Sequence, residues 1–429
     1  GVGLVTPLGS SAETFYAALR SGQGAIAKAS VAAQRPLPAA AQALSLPGEA
    51  AVARVDDFGA ATAIDAGRRR RMPRIGQFCV VAAQQALGCS SSVGSAASPS
   101  PVLAHYGRER LGIVLGTGLG ALDTTLEFTA QYLEGGLGAG SPALFPYTVM
   151  NTAAAIVAME LQLHGGNITV NHRDLSVHEA LATAVDLLAM DRADAVLCGG
   201  GDELGPWLQH GFERLAGLAA DAPDGLPPMR PYDRQRRGLV LGEGAVMLLV
   251  ERAAGARSRG ARPLATVSGI GRAGDHRPRL GWPPAGRPAS TAGAAQAIGG
   301  SLQAAALTPA ELDFIVGGGN GTALDALETQ ALRQALGAAA ERVPIASVLG
   351  QCGEWLTSAG ARLGAALYAL HEQALPGTTL CREPDPAAAL PGLVLTPRPA
   401  TAPLRHILVP VLAQGGGNAA IILSQAEPD

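Results

Sequence analysis

Apolar positions along this chain alternate between two periods. Short β-branched and aliphatic runs at 111–115, 167–170, 193–198 and 245–250 read as strands, and Ala/Leu-rich stretches of helical period lie among them at 121–133, 153–163 and 177–190. Strand and helix in alternation predict a layered α/β architecture. The succession recurs after about residue 255, with a strand over 264–271, a helix over 291–306, a strand over 314–318, a helix over 324–336 and closing strands at 407–412 and 419–423. The chain therefore divides into two α/β halves of similar plan, 1–254 and 255–429. A Ser/Ala/Pro-rich segment at 90–101 and Pro-rich segments at 272–289 and 382–403 read as surface excursions.

Composition narrows the function classes. With 429 residues and 48% hydrophobic content, the chain has enough apolar material for two core-forming units. A net charge of -3 and 32 scattered basic residues exclude a broad nucleic-acid-binding face. One dense basic run, Arg68 to Arg71, reads as a solvated helix end that could meet an acidic partner. The odd set Cys79, Cys89, Cys198, Cys352 and Cys381 shows no paired metal-ligand spacing, which points to reduced thiols and a cytoplasmic setting. No stretch approaches the roughly 18 uninterrupted apolar residues of a membrane span, and the apolar start Gly1 to Val5 is not built like a signal peptide. No membrane contact is expected. None of the eight histidines stands at a ligand spacing to Cys or carboxylate, so neither metal nor cofactor is expected.

Two motifs invite a functional reading and fail it. His172-Arg173-Asp174-Leu175 opens like a kinase catalytic loop, but Glu179 replaces the required Asn and no Asp-Phe-Gly follows. Gly116-Thr117-Gly118-Leu119-Gly120 lacks the glycine spacing of a phosphate cradle and reads as a strand-to-helix turn; the runs Gly199-Gly200-Gly201 and Gly415-Gly416-Gly417 carry the same two readings.

Taken in order, however, several segments resemble the β-ketoacyl-acyl-carrier-protein synthases of the elongating type. These are Gly1 to Gly9, Glu13-Thr14-Phe15, Gly22-Gln23-Gly24, Gly116 to Gly120, Met150 to Ala154, and above all Arg230-Pro231-Tyr232-Asp233-Arg234 with Arg237-Gly238 and Gly242-Glu243-Gly244-Ala245. The resemblance implies a thiolase-like fold whose two pseudo-equivalent halves make a five-layered α-β-α-β-α body.

Condensation in that family needs a thiolate at a strand-to-helix turn, two histidines around the thioester oxygen and a supporting lysine. Matched to the family's pattern, this chain places Asp174 at the cysteine, Asn320 of Gly319-Asn320-Gly321-Thr322 at the first histidine, Gln351 of Gly350-Gln351 at the second and Ala346 at the lysine. Asp325 and Glu328 continue the pattern, the loop Ala413 to Asn418 replaces a Gly-Phe-Gly-Gly-Thr-Asn loop, and Leu412 stands at a gating phenylalanine. No catalytic residue is intact. A carboxylate at position 174 suits a helix N-cap over 175–190, where replacement by Ala costs about 1 kcal/mol.

Such joint loss resembles the chain-length factor, the ketosynthase β subunit of type II polyketide systems, although Asp174 departs from the glutamine common in that group. The resemblance implies a heterodimer with an active ketosynthase, contact with acyl carrier protein through that complex, and an aromatic or aryl-polyene-like pathway. By the same resemblance Leu126, Phe128, Tyr132 and Phe145 fall at the dimer interface, bulky enough to limit an acyl tunnel. The alternatives are a residual enzyme, either a malonyl-carrier-protein decarboxylase or one using His172 and Asp174 as an acid–base pair, and a freestanding acyl-binding homodimer.

Overall fold

The computed structural model describes residues 1–29, 50–89, 100–136, 138–215, 218–219, 224–275 and 290–426. The excursions expected at 90–101 and 272–289 lie for the most part outside the described residues.

Two five-stranded sheets organise the chain. The first contains β1 (Val2–Val5), β2 (Leu111–Gly116), β3 (Asn167–Val170), β4 (Ala195–Asp202) and β5 (Gly244–Glu251), in the order β1-β5-β4-β2-β3. β5 runs antiparallel to β1 and β4, whereas β4, β2 and β3 are parallel. The second contains β6 (Thr266–Gly274), β7 (Phe314–Val316), β8 (Ile345–Ala346), β9 (His406–Leu412) and β10 (Gly417–Ser424). Followed from β6, its order is β6-β10-β9-β7-β8, with the same succession of antiparallel and parallel pairs. Each strand of the first sheet thus has a counterpart in the second.

The helices repeat in the same way. In chain order they are α1 (Ala12–Ser21), α2 (Arg74–Ala86), α3 (Leu122–Gly135), α4 (Thr152–Leu161), α5 (Ser176–Ala189), α6 (Ala292–Ala304), α7 (Leu324–Leu336) and α8 (Ala359–Glu372). α2 and α4 pack on the outer face of the first sheet, α5 and α8 lie between the sheets, and α6 packs on the outer face of the second with α7 beside it. Five layers result, α-β-α-β-α, held by a central core between the sheets and an outer core on each side.

Sequence accounts for this placement. Outer helices need one apolar face, but a central helix is apolar or small all round, and every residue of α8 from Ala359 to Leu370 is buried. Gly360 and Gly364 let α8 approach the first sheet: a Cβ there would come within 2.8 Å of Val246 and 2.9 Å of Leu4. One expectation needs correction. Gly199, Gly200 and Gly201 form neither turn nor cradle; they are buried in the second half of β4, paired with β5. A Cβ on Gly199 would meet the Val246 carbonyl oxygen at 2.0 Å, so the strand tolerates only glycine at this crossing. Arg68 to Arg71 do end a short exposed helix, and Arg68 pairs with Glu160 at 3.0 Å. No helix among the described residues is long and apolar enough to cross a membrane.

Candidate functional site

Equivalent turns of the two halves converge between the sheets. The turn from β3 into α5 carries Asp174, and its counterpart, the connection from β8 into α8, carries Glu354. The loop after β7 contributes Asn320, and the β9–β10 turn contributes Gln414. Parallel strands deliver their following turns to one end of a sheet, which is why these four residues meet.

Asp174 sits in a single 3-10 turn, Arg173–Leu175, entered through a left-handed Arg173 at φ 54°. The His172 amide donates to Ser176 Oγ at 3.0 Å, and that hydroxyl donates to the Thr117 carbonyl at 3.1 Å, which fixes the turn against the end of β2. The expectation that Asp174 caps the helix is corrected here. The residue preceding α5 is Leu175, without a side-chain cap bond, and the Asp174 carboxylate points across to the β9–β10 turn, accepting the Gln414 N–H at 3.2 Å. Arg173 Nη2 completes this closure by donating to Gln414 Oε1 at 3.3 Å. Burial raises the Asp174 carboxyl above its usual range, opposed by the Arg173 charge and the Gln414 amide.

Asn320 is fully buried and wholly engaged. Its Nδ2 donates to Glu354 Oε2 at 2.7 Å, its Oδ1 accepts from the Thr322 hydroxyl at 2.6 Å, and its own amide donates to Asp325 Oδ1 at 2.8 Å. Asp325 also accepts from the amides of Tyr232 and Gly321, and Glu328 accepts from the Tyr232 hydroxyl and the Gly318 amide. These bonds explain the Tyr232-Asp325-Glu328 grouping as the brace of the β7–α7 turn. Burial pushes the Asp325 carboxyl up to about 7 and raises Glu328 as well.

The remaining matched positions lie apart. Ala346 is buried in β8, where its carbonyl accepts the Gly317 amide. Gln351 is buried in a short helix, Leu349–Cys352, and its Nε2 reaches the Gln23 carbonyl at 3.3 Å, so it lines neither cavity described below. His172 is exposed and is joined to Asp174 by no hydrogen bond among the described residues.

Two residues that sequence reasoning passed over occupy the centre. Glu354 follows Gly353 three residues beyond Gln351 and faces Asn320; burial, then the Asp174 charge, pushes its carboxyl up to about 8. Arg362 on α8 is 4% exposed, donates through Nη1 to the Pro410 carbonyl, and is lowered from its ordinary value by burial. The readable signal for Arg362 is a lone charge inside an otherwise apolar helix, since a buried charge requires partners. Its neighbour His178 on α5 is buried, with Nε2 on the Val409 carbonyl at 2.9 Å, and burial lowers it to about 3, leaving it neutral.

The space around these groups is small. A cavity of about 20 Å³ is lined by Asp174, Glu328, Glu354, Arg362 and the gating-position residue Leu412, and a second of about 10 Å³ by Asp174, Glu354, Leu356 and Gln414. Among the described residues no group of His, Cys, Asp and Glu is arranged to hold a metal ion.

The tunnel and interface candidates share a different surface. Leu126 and Phe128 are half-buried on α3, Tyr132 is 43% exposed, and Phe145 is 58% exposed with its ring 5.7 Å from that of Phe128. Leu119, Leu133, Val149, Met150 and Met159 are exposed in the same stretch of chain. β3 beside them is the last strand of its sheet.

Comparison with known proteins places this geometry. Models of the β-ketoacyl synthase N-terminal and C-terminal domains match residues 1–256 and 264–381. A 3-oxoacyl-[acyl-carrier-protein] synthase 2 of Synechocystis is 29% identical over 393 residues, 91% of this chain and 89% of that protein. The ketoacyl synthase alpha subunit of the tetracenomycin polyketide synthase of Streptomyces glaucescens is 31% identical over 326 residues, 74% of this chain and 73% of its own. The solved ishigamide ketosynthase/chain length factor superposes with a TM-score of 0.83 at 24% identity, covering all of this chain and 98% of that one.

Proposed function

This chain belongs to the β-ketoacyl synthase family, and on that premise we propose that it is a noncatalytic subunit, of the chain-length-factor type, that pairs with an active ketosynthase and shapes the acyl tunnel. The carrying observation is the closed centre, where Asp174 and Glu354 face cavities of about 20 and 10 Å³. Ligand sites of this kind enclose roughly 300–1,000 Å³. A carboxylate at position 174 is no useful acyl acceptor, because the mixed anhydride it would form hydrolyses, and the side-chain donors of Asn320 and Gln351 are given to Glu354 and the Gln23 carbonyl, which leaves neither for the enolate oxygen that decarboxylation of a malonyl thioester develops. The curated relatives bear the names of ketoacyl synthases, and the reading of this chain as noncatalytic rests on its own centre.

The exposed apolar face supports the pairing. Seven of the nine large hydrophobic residues exposed among the described residues fall between Leu119 and Met159, next to the open edge of β3. A clustered apolar patch beside an unpaired strand edge is a surface built to be covered. The partner is an active ketosynthase, which supplies the thiolate, and acyl carrier protein reaches the tunnel through the complex. The exposed Arg68 to Arg71 run offers an acidic carrier a complementary surface.

Coexpression with the neighbouring ketosynthase, sizing with mass determination, and condensation assays on separate and mixed proteins test this reading. A one-to-one complex whose condensation requires the partner's cysteine is expected. A homodimer that alone releases carbon dioxide from malonyl-carrier protein would replace the proposal with the residual-enzyme reading.

A further inference from the structure

Closing the centre leaves four carboxyl groups around one buried guanidinium. Asp174 comes from the β3–α5 turn, Glu354 from the β8–α8 connection, Asp325 and Glu328 from α7, and Arg362 from α8. Arg173 at the rim adds one positive charge, while His178 and Tyr232 are neutral: burial lowers the one and holds the other well above its ordinary value. With all four acids ionised the group would hold four negative charges against two positive, while Arg362 gives its Nη1 to the Pro410 carbonyl and its Nε has no partner. A buried site does not sustain that imbalance, and protonation is the accessible relief.

Hydrogen bonds and nearby charge decide which acid takes the proton: Asp174 accepts the Gln414 N–H and has the Arg173 charge beside it, which favours its anion. Asp325 accepts three backbone amides and Glu328 accepts a hydroxyl and an amide, so both are solvated as anions by the fold. Glu354 accepts a single N–H, from Asn320, and lines both cavities together with Asp174. The larger cavity, about 20 Å³, exceeds the roughly 10–15 Å³ needed for one water. Its polar lining includes Asp174, Glu328, Ser358 and Arg362, whose Nε has no partner.

We propose that Glu354 is carried in its acid form and linked through one water to Asp174 and Arg362, so that a retained proton holds the degenerate centre closed. The inference concerns the chain itself and does not depend on the identity of a partner. Its consequence is a dependence of folding on pH. Burial and the Asp174 charge push Glu354 from 4.5 up to about 8. The folded chain therefore retains a proton that the unfolded chain releases. The stability this provides is full below the unfolded value and is lost as pH rises through about 8, at about tenfold in the folding equilibrium per pH unit for one proton. Asp325 shifts in the same direction and contributes its own slope at lower pH.

The test is a set of denaturation curves from pH 5.5 to 9 for the wild-type chain, Glu354→Gln and Asp174→Asn, with infrared spectra of the folded proteins at neutral pH. Glu354→Gln keeps an acceptor for Asn320 and a donor toward Asp174, so it should gain on wild type steadily from pH 5.5 to about 8, stay ahead at pH 9 and lose one proton from the slope. The wild-type spectrum should contain the carbonyl band of a protonated carboxyl group that Glu354→Gln lacks. Parallel curves for wild type and Glu354→Gln, or a band that survives Glu354→Gln and disappears in Asp174→Asn, would overturn the assignment. Should the variant fail to fold, infrared spectra of wild type carrying glutamate labelled with heavy carbon at the carboxyl decide the matter: the band of the protonated carboxyl should move on labelling, and a band left in place would overturn the assignment.

Discussion

Replacing Phe145 with Ala separates an interface from ordinary packing. A fully buried Phe→Ala change costs about 3–5 kcal/mol of folding stability. Phe145 is 58% exposed in the isolated chain, and its aromatic contact is with the half-buried Phe128 ring at 5.7 Å. That tilted pair contributes about 0.5–1.5 kcal/mol, and the remaining side-chain area already faces water, so the isolated variant should lose about 1 kcal/mol. In a complex the same ring would be covered. Truncation of an aromatic anchor near an interface centre costs about 2 kcal/mol or more, which is roughly a 30-fold weaker Kd. Urea denaturation of the isolated chain reads the first quantity, and calorimetric titration with the ketosynthase reads the second. A variant that unfolds some 3 kcal/mol more easily but binds the ketosynthase with unchanged affinity would refute the assignment of this face to the partner.

Two further outcomes follow from other residues. Phe128→Ala should lengthen the product of the complex, read by mass spectrometry, because the side chain it removes stands between α3 and Phe145; unchanged product length with lower stability would leave it as plain packing. Asp202→Ala should cost about 2–4 kcal/mol by urea denaturation, since the buried carboxylate accepts the amides of Gly118 and Thr357 and the hydroxyls of Thr117 and Thr357, and two amides would be stranded.

Periodicity made the layers legible. The helix expected at 324–336 and the strand at 167–170 are found with those bounds, because each is a run of one period ended by a clear change of composition. β4 was harder to bound. Its last four residues are Gly199 to Asp202, and strand glycines look like turn glycines until the neighbouring strands that require them are known. The central site was legible at Asp174 and Asn320, which follow strands directly. Glu354 was not, because none of the matched positions falls on it, and only the fold brings its connection opposite Asn320. Asp174 as a helix cap failed for a related reason: polarity at a helix start is local information, whereas the amide it accepts belongs to Gln414, 240 positions away.

The acidity of the centre bears on why the proposed subunit would not compete with its partner. Leu356, Leu412 and Gln414 already fill the space, so apolar residues at 174 and 354 would close it equally well and without the cost of burying charge. Carboxyl groups add a second barrier. With Glu354 neutral and the Asp325 carboxyl pushed up to about 7, Asp174 and Glu328 still match Arg173 and Arg362, so the centre has no positive excess. A carrier-bound malonyl group is itself anionic, and entry would place its carboxylate beside Asp174 in a centre with no positive excess. Volume excludes the acyl chain and charge excludes the extender unit, which in the proposed complex would leave both to the ketosynthase.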